Sequence, residues 1–265
     1  MELPLFYGLN GTDTKQEQMS RKFGLLGRNI SYSFSKGYFT EKFKSLGLKD
    51  HSYVNFDVPK IEDIKEIVKN THDLVGFNIT IPYKEAILPY LSQVDPKAKA
   101  IGAINVVKVQ ENGLKGYNTD VIGFERSIAP HLKSRHQKAL ILGTGGASKA
   151  VEFALNSLGL TCQKVSRTAA EDKWSYEQLN KEVIAQYKVI VNCTPLGTFP
   201  NVEDKPAIPY QYITADHLVY DLIYNPETTS FMKHAQEKGA TAVNGHQMLK
   251  LQAEAAWEIW NVDTR

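Results

Sequence analysis

From about Lys22 onward, short apolar runs alternate with amphipathic stretches, the pattern of strands and helices taking turns around a mostly parallel sheet. Two such series are legible. The first predicts a strand at Phe23 to Leu26, a helix near Tyr38 to Leu46 and a strand at Tyr53 to Val58. A helix follows in which Ile61, Ile64, Ile67 and Val68 recur at helical spacing, then a strand over Leu74 to Ile81 that Pro82 interrupts. Ala86 to Leu91 reads as a short helix. Ala103 to Val109 reads as a strand that turns at Glu111-Asn112-Gly113 into Leu114 to Tyr117.

The second series opens after Asp120 with a linking helix ending near Pro130. Strands are predicted at Lys138 to Leu142, Cys162 to Ser166, Val189 to Cys193 and Leu218 to Leu222, with a helix over Ala147 to Leu158 between the first two. Thr228 to Lys238 reads as a helix with threonines placed to cap it. Gln247 to Trp260 is a last helix with Leu249, Ala253, Ala256, Trp257 and Trp260 on one face. Residues 1 to about 18 do not join the alternation; they read either as a leader or as an ordered extension, with Met19 just before the first strand.

Composition narrows the ligand more than the fold. The 265 residues carry 31 basic and 29 acidic side chains, a balance that gives no broad field to hold a polyanion, so small molecules are favoured over nucleic acid. Two cysteines, Cys162 and Cys193, make no disulfide framework, and the seven histidines show no metal-ligand spacing, which points to reducing cytoplasm and no metal. The apolar patch Leu3 to Leu9 follows Glu2, contains Pro4 and lacks a basic flank, unlike a secretory signal. No uncharged apolar run approaches the roughly 18 residues that span a bilayer.

Gly143-Thr144-Gly145-Gly146-Ala147-Ser148 follows a predicted strand and opens a predicted helix, the context in which a glycine fingerprint signals a dinucleotide. Glycines let the backbone turn tightly against a pyrophosphate, while the first N–H groups of the helix face the anion. The next strand ends Val165-Ser166-Arg167-Thr168, with no carboxylate until Glu171. A guanidinium and hydroxyls there suit a ribose 2′-phosphate, as in NADP; an acidic residue would suit the free hydroxyl of NAD.

In Asn78-Ile79-Thr80-Ile81-Pro82-Tyr83-Lys84, strand alternation puts Asn78 and Thr80 on one face and leaves Lys84 at a strand end or helix start. Asn118-Thr119-Asp120 falls at the junction of the two series, where a carboxylate can meet a lysine across a cleft. Lysine serves as the proton donor or acceptor when a ketone and an alcohol interconvert. Ser33 and Ser35, two apart, present their hydroxyls to one side and can hold a small anion. Trp257 and Trp260 read as packing, and Cys193 has no neighbouring base in sequence to make it a nucleophile.

Together these segments resemble the shikimate dehydrogenase family. The likeness runs from about Lys22 to the last helix through Asn78 to Lys84, Gly102-Ala-Ile-Asn105, Asn118-Thr-Asp120, the glycine turn, Asn192-Cys-Thr-Pro-Leu-Gly197 and Asn244-Gly-His-Gln-Met-Leu249. It implies an α/β protein: an N-terminal α/β substrate domain with a mixed sheet over 1–119, a Rossmann-type NADP-binding domain over 120–243, and a C-terminal helix within 244–265 returning to the substrate domain. It implies reversible NADPH-dependent reduction of 3-dehydroshikimate to shikimate in aromatic amino-acid biosynthesis, by a monomer or homodimer. By the same likeness Lys84 is the general acid/base beside Asp120; Ser33 and Ser35 hold the substrate carboxylate; Thr80, Asn105, Asp120 and Gln252 bind ring hydroxyls. Ser166, Arg167 and Thr168 grip the 2′-phosphate, Gly143, Thr144, Gly145, Gly146 and Ala147 cradle the pyrophosphate, and Leu222, Tyr224 and Gly245 line the nicotinamide and substrate cleft.

Departures concentrate where the family has His-Ser-x-Ser-Pro and a second His. This chain reads Tyr32-Ser33-Phe34-Ser35-Lys36, with Phe39 near the second His position. Quinate-preferring relatives tend to carry threonine at the second serine, so Ser35 leans towards shikimate. The rival readings are an NAD-preferring quinate enzyme, a non-catalytic NADP-binding regulator, and a methylenetetrahydrofolate-type dehydrogenase, which leaves the Ser-x-Ser pair unexplained.

Overall fold

The computed structural model describes residues 20–30 and 33–262. The expectations for residues 1 to 18 and for Tyr32 lie outside them. Two six-stranded sheets are built one after the other along the chain.

The first comprises β1 (Arg21–Gly27), β2 (His51–Asp57), β3 (Leu74–Ile79), β4 (Gln93–Val94), β5 (Val106–Gln110) and β6 (Gly113–Tyr117), in the order β2-β1-β3-β5-β6-β4. β1 pairs parallel with β2 and β3, whereas β5 runs antiparallel to both β3 and β6, so the sheet is mixed as expected. Helices α1 (Phe34–Ser45), α2 (Ile64–Asn70) and α3 (Pro96–Ile101) connect these strands. α4 (Asp120–Ile128) leads into the second sheet.

That sheet is formed by β7 (Lys138–Leu142), β8 (Thr161–Ser166), β9 (Lys173–Ser175), β10 (Val189–Asn192), β11 (Leu218–Asp221) and β12 (Thr241–Val243), in the order β12-β11-β10-β7-β8-β9. Every pairing is parallel. Helices α5 (Gly146–Ser157), α6 (Lys181–Gln186) and α7 (Ser230–Gln236) cover it, and α8 (His246–Asn261) ends the described chain. Strand order reverses between β7 and β10, which places a crevice at their carboxyl ends, the usual ligand site of such sheets.

Strand alternation explains why each sheet is buried on both faces. On β7, Ala139 and Ile141 join Val121, Phe124 and Val151 under α4 and α5, while Leu140 and Leu142 face Ile184, Phe231 and Met232 under α6 and α7. On the first sheet, Leu26, Phe77 and Ile79 pack with Ile61 and Ile64 on one side. Phe23, Leu25 and Val106 pack with Phe39, Phe43, Ala253, Ala256 and Trp260 on the other. Helix α8 therefore returns to the first sheet, where Trp260 Nε1 donates to the Val107 carbonyl at 3.0 Å. Trp257 and Trp260 are packing residues in the aromatic cluster around Phe23.

Several elements differ from the sequence pattern. The helix expected at Ala86 to Leu91 is a series of turns closed by one 3₁₀ turn at Leu88–Tyr90, with Pro89 withholding an N–H. β3 stops at Ile79: Thr80 N still donates to the Leu26 carbonyl of β1, but Tyr83 N then closes a turn on the Thr80 carbonyl. The strand expected from Ala103 begins only at Val106, since Ile104 N is claimed by the Lys84 carbonyl. The pattern gave no sign of β4, β9, α6 or β12, all of six residues or fewer. α3 begins with a local signal of its own: Asp95 caps it through Lys97 N and Ala98 N ahead of Pro96. Among the described residues no helix is long and apolar enough to cross a membrane, and no group of His, Cys, Asp and Glu could hold a metal ion.

Candidate active site

Lys84 is held by its backbone before its side chain acts. Its carbonyl accepts from Ile104 N at 2.7 Å, and buried Tyr83 pins the same turn by donating its phenol to the Val58 carbonyl at 2.8 Å. The amine is thereby directed at Asp120: Lys84 Nζ donates to Asp120 Oδ2 at 2.6 Å. Both side chains are largely buried, with 18% and 9% of their surface exposed.

Asp120 opens α4, where the helix N-terminus favours negative charge, and Val121 N is capped by Asn118 Oδ1 at 3.2 Å. Its second oxygen, Oδ1, accepts from Asn105 Nδ2 at 2.8 Å. Asn105 is itself fixed, accepting from Thr119 N at 2.6 Å through Oδ1. The carboxylate is thus held on both oxygens, and the lysine in a single direction.

This pair forms the floor of a cavity of about 230 Å³. Such a volume falls below the ~300–1,000 Å³ of drug-sized pockets and suits a small polar molecule. Ser33, Ser35, Thr80, Asn105, Tyr224 and Gln252 line it together with Lys84 and Asp120, so every residue singled out for catalysis or substrate is brought to one place. Ser33 caps α1 by accepting from Lys36 N at 3.2 Å, which places both serines at a helix N-terminus suited to an anion. Behind Ser35, the Tyr53 phenol donates to Asn78 Oδ1 at 2.8 Å, and burial raises its pKa. Gln252 Oε1 stands 3.5 Å from Asn105 Nδ2. Phe39, at the position of the family's second His, is fully buried and stacks on Tyr53, so that departure adds to the core and takes nothing from the cavity. Lys36 is exposed.

A second cavity, of about 700 Å³, adjoins the first and shares Thr80 and Lys84 with it. It lies at the reversal between β7 and β10. Gly143, Thr144, Gly145, Gly146 and Ala147 line one side, with Gly143 in the left-handed region at φ 108°. No side chain caps α5, so its first N–H groups remain for a ligand, and no side chain intrudes at Gly145. Ser166 and exposed Arg167 stand at the rim. These features fit the phosphates of a dinucleotide. The remaining cofactor candidates are placed otherwise: Thr168, Leu222 and Gly245 line neither cavity. Thr168 offers its carbonyl to the Ser166 hydroxyl, and Gly245 passes so close to Leu222 that a Cβ there would lie 2.1 Å from its carbonyl oxygen.

The sequence pattern passed over four features of this region. Phe34 lines the small cavity and Tyr176 the large one; Tyr176 follows β9, a three-residue strand too short for a periodic signal. Glu85 and Lys149 form a 2.7 Å ion pair between the Lys84 turn and α5. Asp221, fully buried at the end of β11, accepts from Asn192 Nδ2 at 3.0 Å, Ile223 N at 3.0 Å and Thr229 Oγ1 at 2.6 Å. Burial raises its pKa to about 6 against the partial opposition of those hydrogen bonds. Asn192 also accepts from Thr194 Oγ1 at 2.6 Å, so Asp221 anchors the Thr194-Pro195-Leu196 wall of the large cavity. Burial likewise pushes the Cys193 thiol up, which removes it as a nucleophile.

The chain is similar to known proteins along most of its length. The sequence model of the shikimate dehydrogenase substrate binding domain matches residues 25–107. A shikimate dehydrogenase (NADP(+)) of Methanococcus aeolicus is 38% identical over 257 residues, covering 91% of this chain and 92% of its own. The crystal structure of shikimate 5-dehydrogenase from Thermus thermophilus in complex with NADP(H) and shikimate superposes with a TM-score of 0.80 at 31% identity, covering 91% of this chain and 93% of its own. Quinate dehydrogenase from Corynebacterium glutamicum in complex with NAD gives the same TM-score at 27% identity, over 91% and 94% of the two chains.

Proposed function

The chain belongs to the shikimate dehydrogenase family, and from that premise we propose that it interconverts shikimate and 3-dehydroshikimate with NADP, using Lys84 and Asp120 for the proton. The observation that carries this is the 2.6 Å contact of Lys84 Nζ with Asp120 Oδ2 at the wall shared by a small polar cavity and a phosphate-binding crevice. NADP supplies the two-electron acceptor in one direction and, reduced, the donor in the other.

In the oxidation, Lys84 acting as the neutral amine takes the proton from the hydroxyl of the reacting carbon as that carbon loses its hydrogen with the electron pair, leaving C=O. Asp120 stabilises the ammonium so formed and keeps the amine pointed at the oxygen. In the reduction, Lys84 returns the proton to the developing alkoxide. Asn105 holds Asp120 throughout and, with Thr80 and Gln252, offers hydrogen bonds to the ring hydroxyls. Ser33 and Ser35 take the carboxylate at the start of α1. Arg167 supplies the cation for the 2′-phosphate, and Ser166 and Thr168 shape its turn.

We assign 1–119 to the substrate half, 120–243 to the nucleotide half and 244–265 to a returning segment. Two features support this division: α4 begins at Asp120, and α8 packs on the first sheet. The test is reduction of the nicotinamide by the purified protein in four combinations, shikimate or quinate with NADP or NAD. Turnover of shikimate with NADP above the other three is the expected result. Preference for quinate with NAD would overturn the assignment, and silence in all four with NADP still bound would favour a regulatory protein.

A further inference from the structure

The proposed carboxylate site has an aromatic ring set between its two hydroxyls. Phe34, the first residue of α1, separates Ser33 from Ser35 and lines the same 230 Å³ cavity. Its ring is held on three sides. Tyr38, one turn along α1, stacks on it at 5.6 Å between centroids. Tyr224, from the loop after β11, meets it edge-on at 5.8 Å, and His246, the first residue of α8, does so at 6.4 Å. Tyr38 is anchored in turn: its phenol donates to Glu254 of α8, which also accepts from Lys42 Nζ at 2.6 Å. Two segments of the chain's second half, the loop after β11 and α8, therefore brace a side chain of the first.

We propose that Phe34 determines specificity at the carboxylate end of the cavity, admitting a ring acid whose carboxylate-bearing carbon is planar and rejecting one in which that carbon is tetrahedral and hydroxylated. This rests on the placing of the substrate carboxylate at Ser33 and Ser35. In shikimate that carbon belongs to a ring double bond, so ring edge and carboxylate share a plane that can lie against a phenyl face. Quinate carries a hydroxyl on the same carbon, projecting out of that plane. Against the Phe34 face the hydroxyl loses its water and meets only carbon, with the Ser33 and Ser35 hydroxyls taken by the carboxylate, and a buried polar group left unpaired is disfavoured. The braced ring cannot swing aside without giving up its contacts to Tyr224 and His246.

The experiment compares the full chain with F34L and F34S. For each, kcat/KM is measured for shikimate and for quinate with NADP, and quinate is also titrated as a competitive inhibitor of shikimate oxidation, which reads its affinity even without turnover. The preference for shikimate should fall about tenfold in F34S, where a hydroxyl replaces the ring, and by less in F34L. The quinate inhibition constant should fall relative to the shikimate KM in the same order. A shikimate-to-quinate ratio unchanged within about twofold, with both substrates weakened equally, overturns the proposal and leaves Phe34 a packing residue. F34L carries the test if F34S does not fold. Absence of shikimate turnover in the unmodified chain would instead count against the proposed function.

Discussion

Replacing Lys84 by alanine removes the proposed proton carrier and one partner of a buried ion pair, and the two effects can be sized separately. A positioned proton donor contributes about 10²- to 10⁴-fold to rate, so kcat should fall by that factor, about 3–5 kcal/mol of transition-state stabilisation. Breaking a fully buried pair costs roughly 3–5 kcal/mol. Here Asp120 retains Asn105 Nδ2 at 2.8 Å and the N-terminus of α4, and 18% of the Lys84 side chain reaches solvent, so about 1–3 kcal/mol is expected. At about 2–4 °C per kcal/mol for a chain of this size, the melting temperature should fall by roughly 2–12 °C. Lys84→Arg separates the terms, because a guanidinium can keep the ion pair but does not release its proton near neutral pH. The assay is initial-rate nicotinamide reduction at saturating shikimate and NADP, below the melting temperature of each variant. Both variants should lose kcat with a smaller change in KM, while the arginine variant keeps most of its stability. A Lys84→Arg enzyme with near wild-type kcat, or a Lys84→Ala enzyme that loses only KM, would refute the role given to the amine.

Arg167→Gln should raise the KM for NADP roughly tenfold or more while changing that for NAD little, since hydrogen bonds to a charged group are worth about 1.5–3 kcal/mol and only NADP carries the 2′-phosphate; equal effects on both cofactors would count against that contact. Asp221 titrates near 6 when folded against an ordinary 3.8, so between those values the native state binds more protons than the unfolded one. Its contribution to stability is therefore fully present below about pH 4 and lost as pH rises through about 6, about 3 kcal/mol in all. Asp221→Asn should gain melting temperature relative to the unmodified chain between about pH 4 and about pH 8, whereas a difference constant with pH would contradict the burial of a charge there. Gly245→Ala should destabilise by about 1–3 kcal/mol, because its Cβ would meet the Leu222 carbonyl oxygen at 2.1 Å and backbone cannot yield as a flexible side chain does; an unchanged melting temperature would show the two segments are less closely held.

Much of the fold could be read because its signals are local. A continuous apolar run marked β7 to the residue, and Gly143 to Gly146 announced the turn before α5 through backbone needs that only glycine meets easily. Thr229 was legible as a cap because its side chain accepts from Met232 N, three residues away. Lys84, Asp120 and the two serines could be nominated by residue type and motif. The two- and three-residue strands β4, β9 and β12 escaped, since one or two side chains per face make no period, and with β9 went the Tyr176 that follows it.

What the tertiary structure alone decided is which distant residues meet. Lys84 and Asp120 are 36 positions apart and reach 2.6 Å only because the strand order carries the turn after β3 to the N-terminus of α4. Phe34, which nothing in the sequence singles out, joins the site only because α8 and the loop after β11 bring His246 and Tyr224 against its ring. Asp221 gave no sign of a raised pKa, because burial and hydrogen-bond partners are properties of packing and not of neighbours in sequence. Local backbone preferences and periodicity act over a few residues and are written in the chain; desolvation, close approach and the joining of one cavity to another act through space and depend on the path the chain takes.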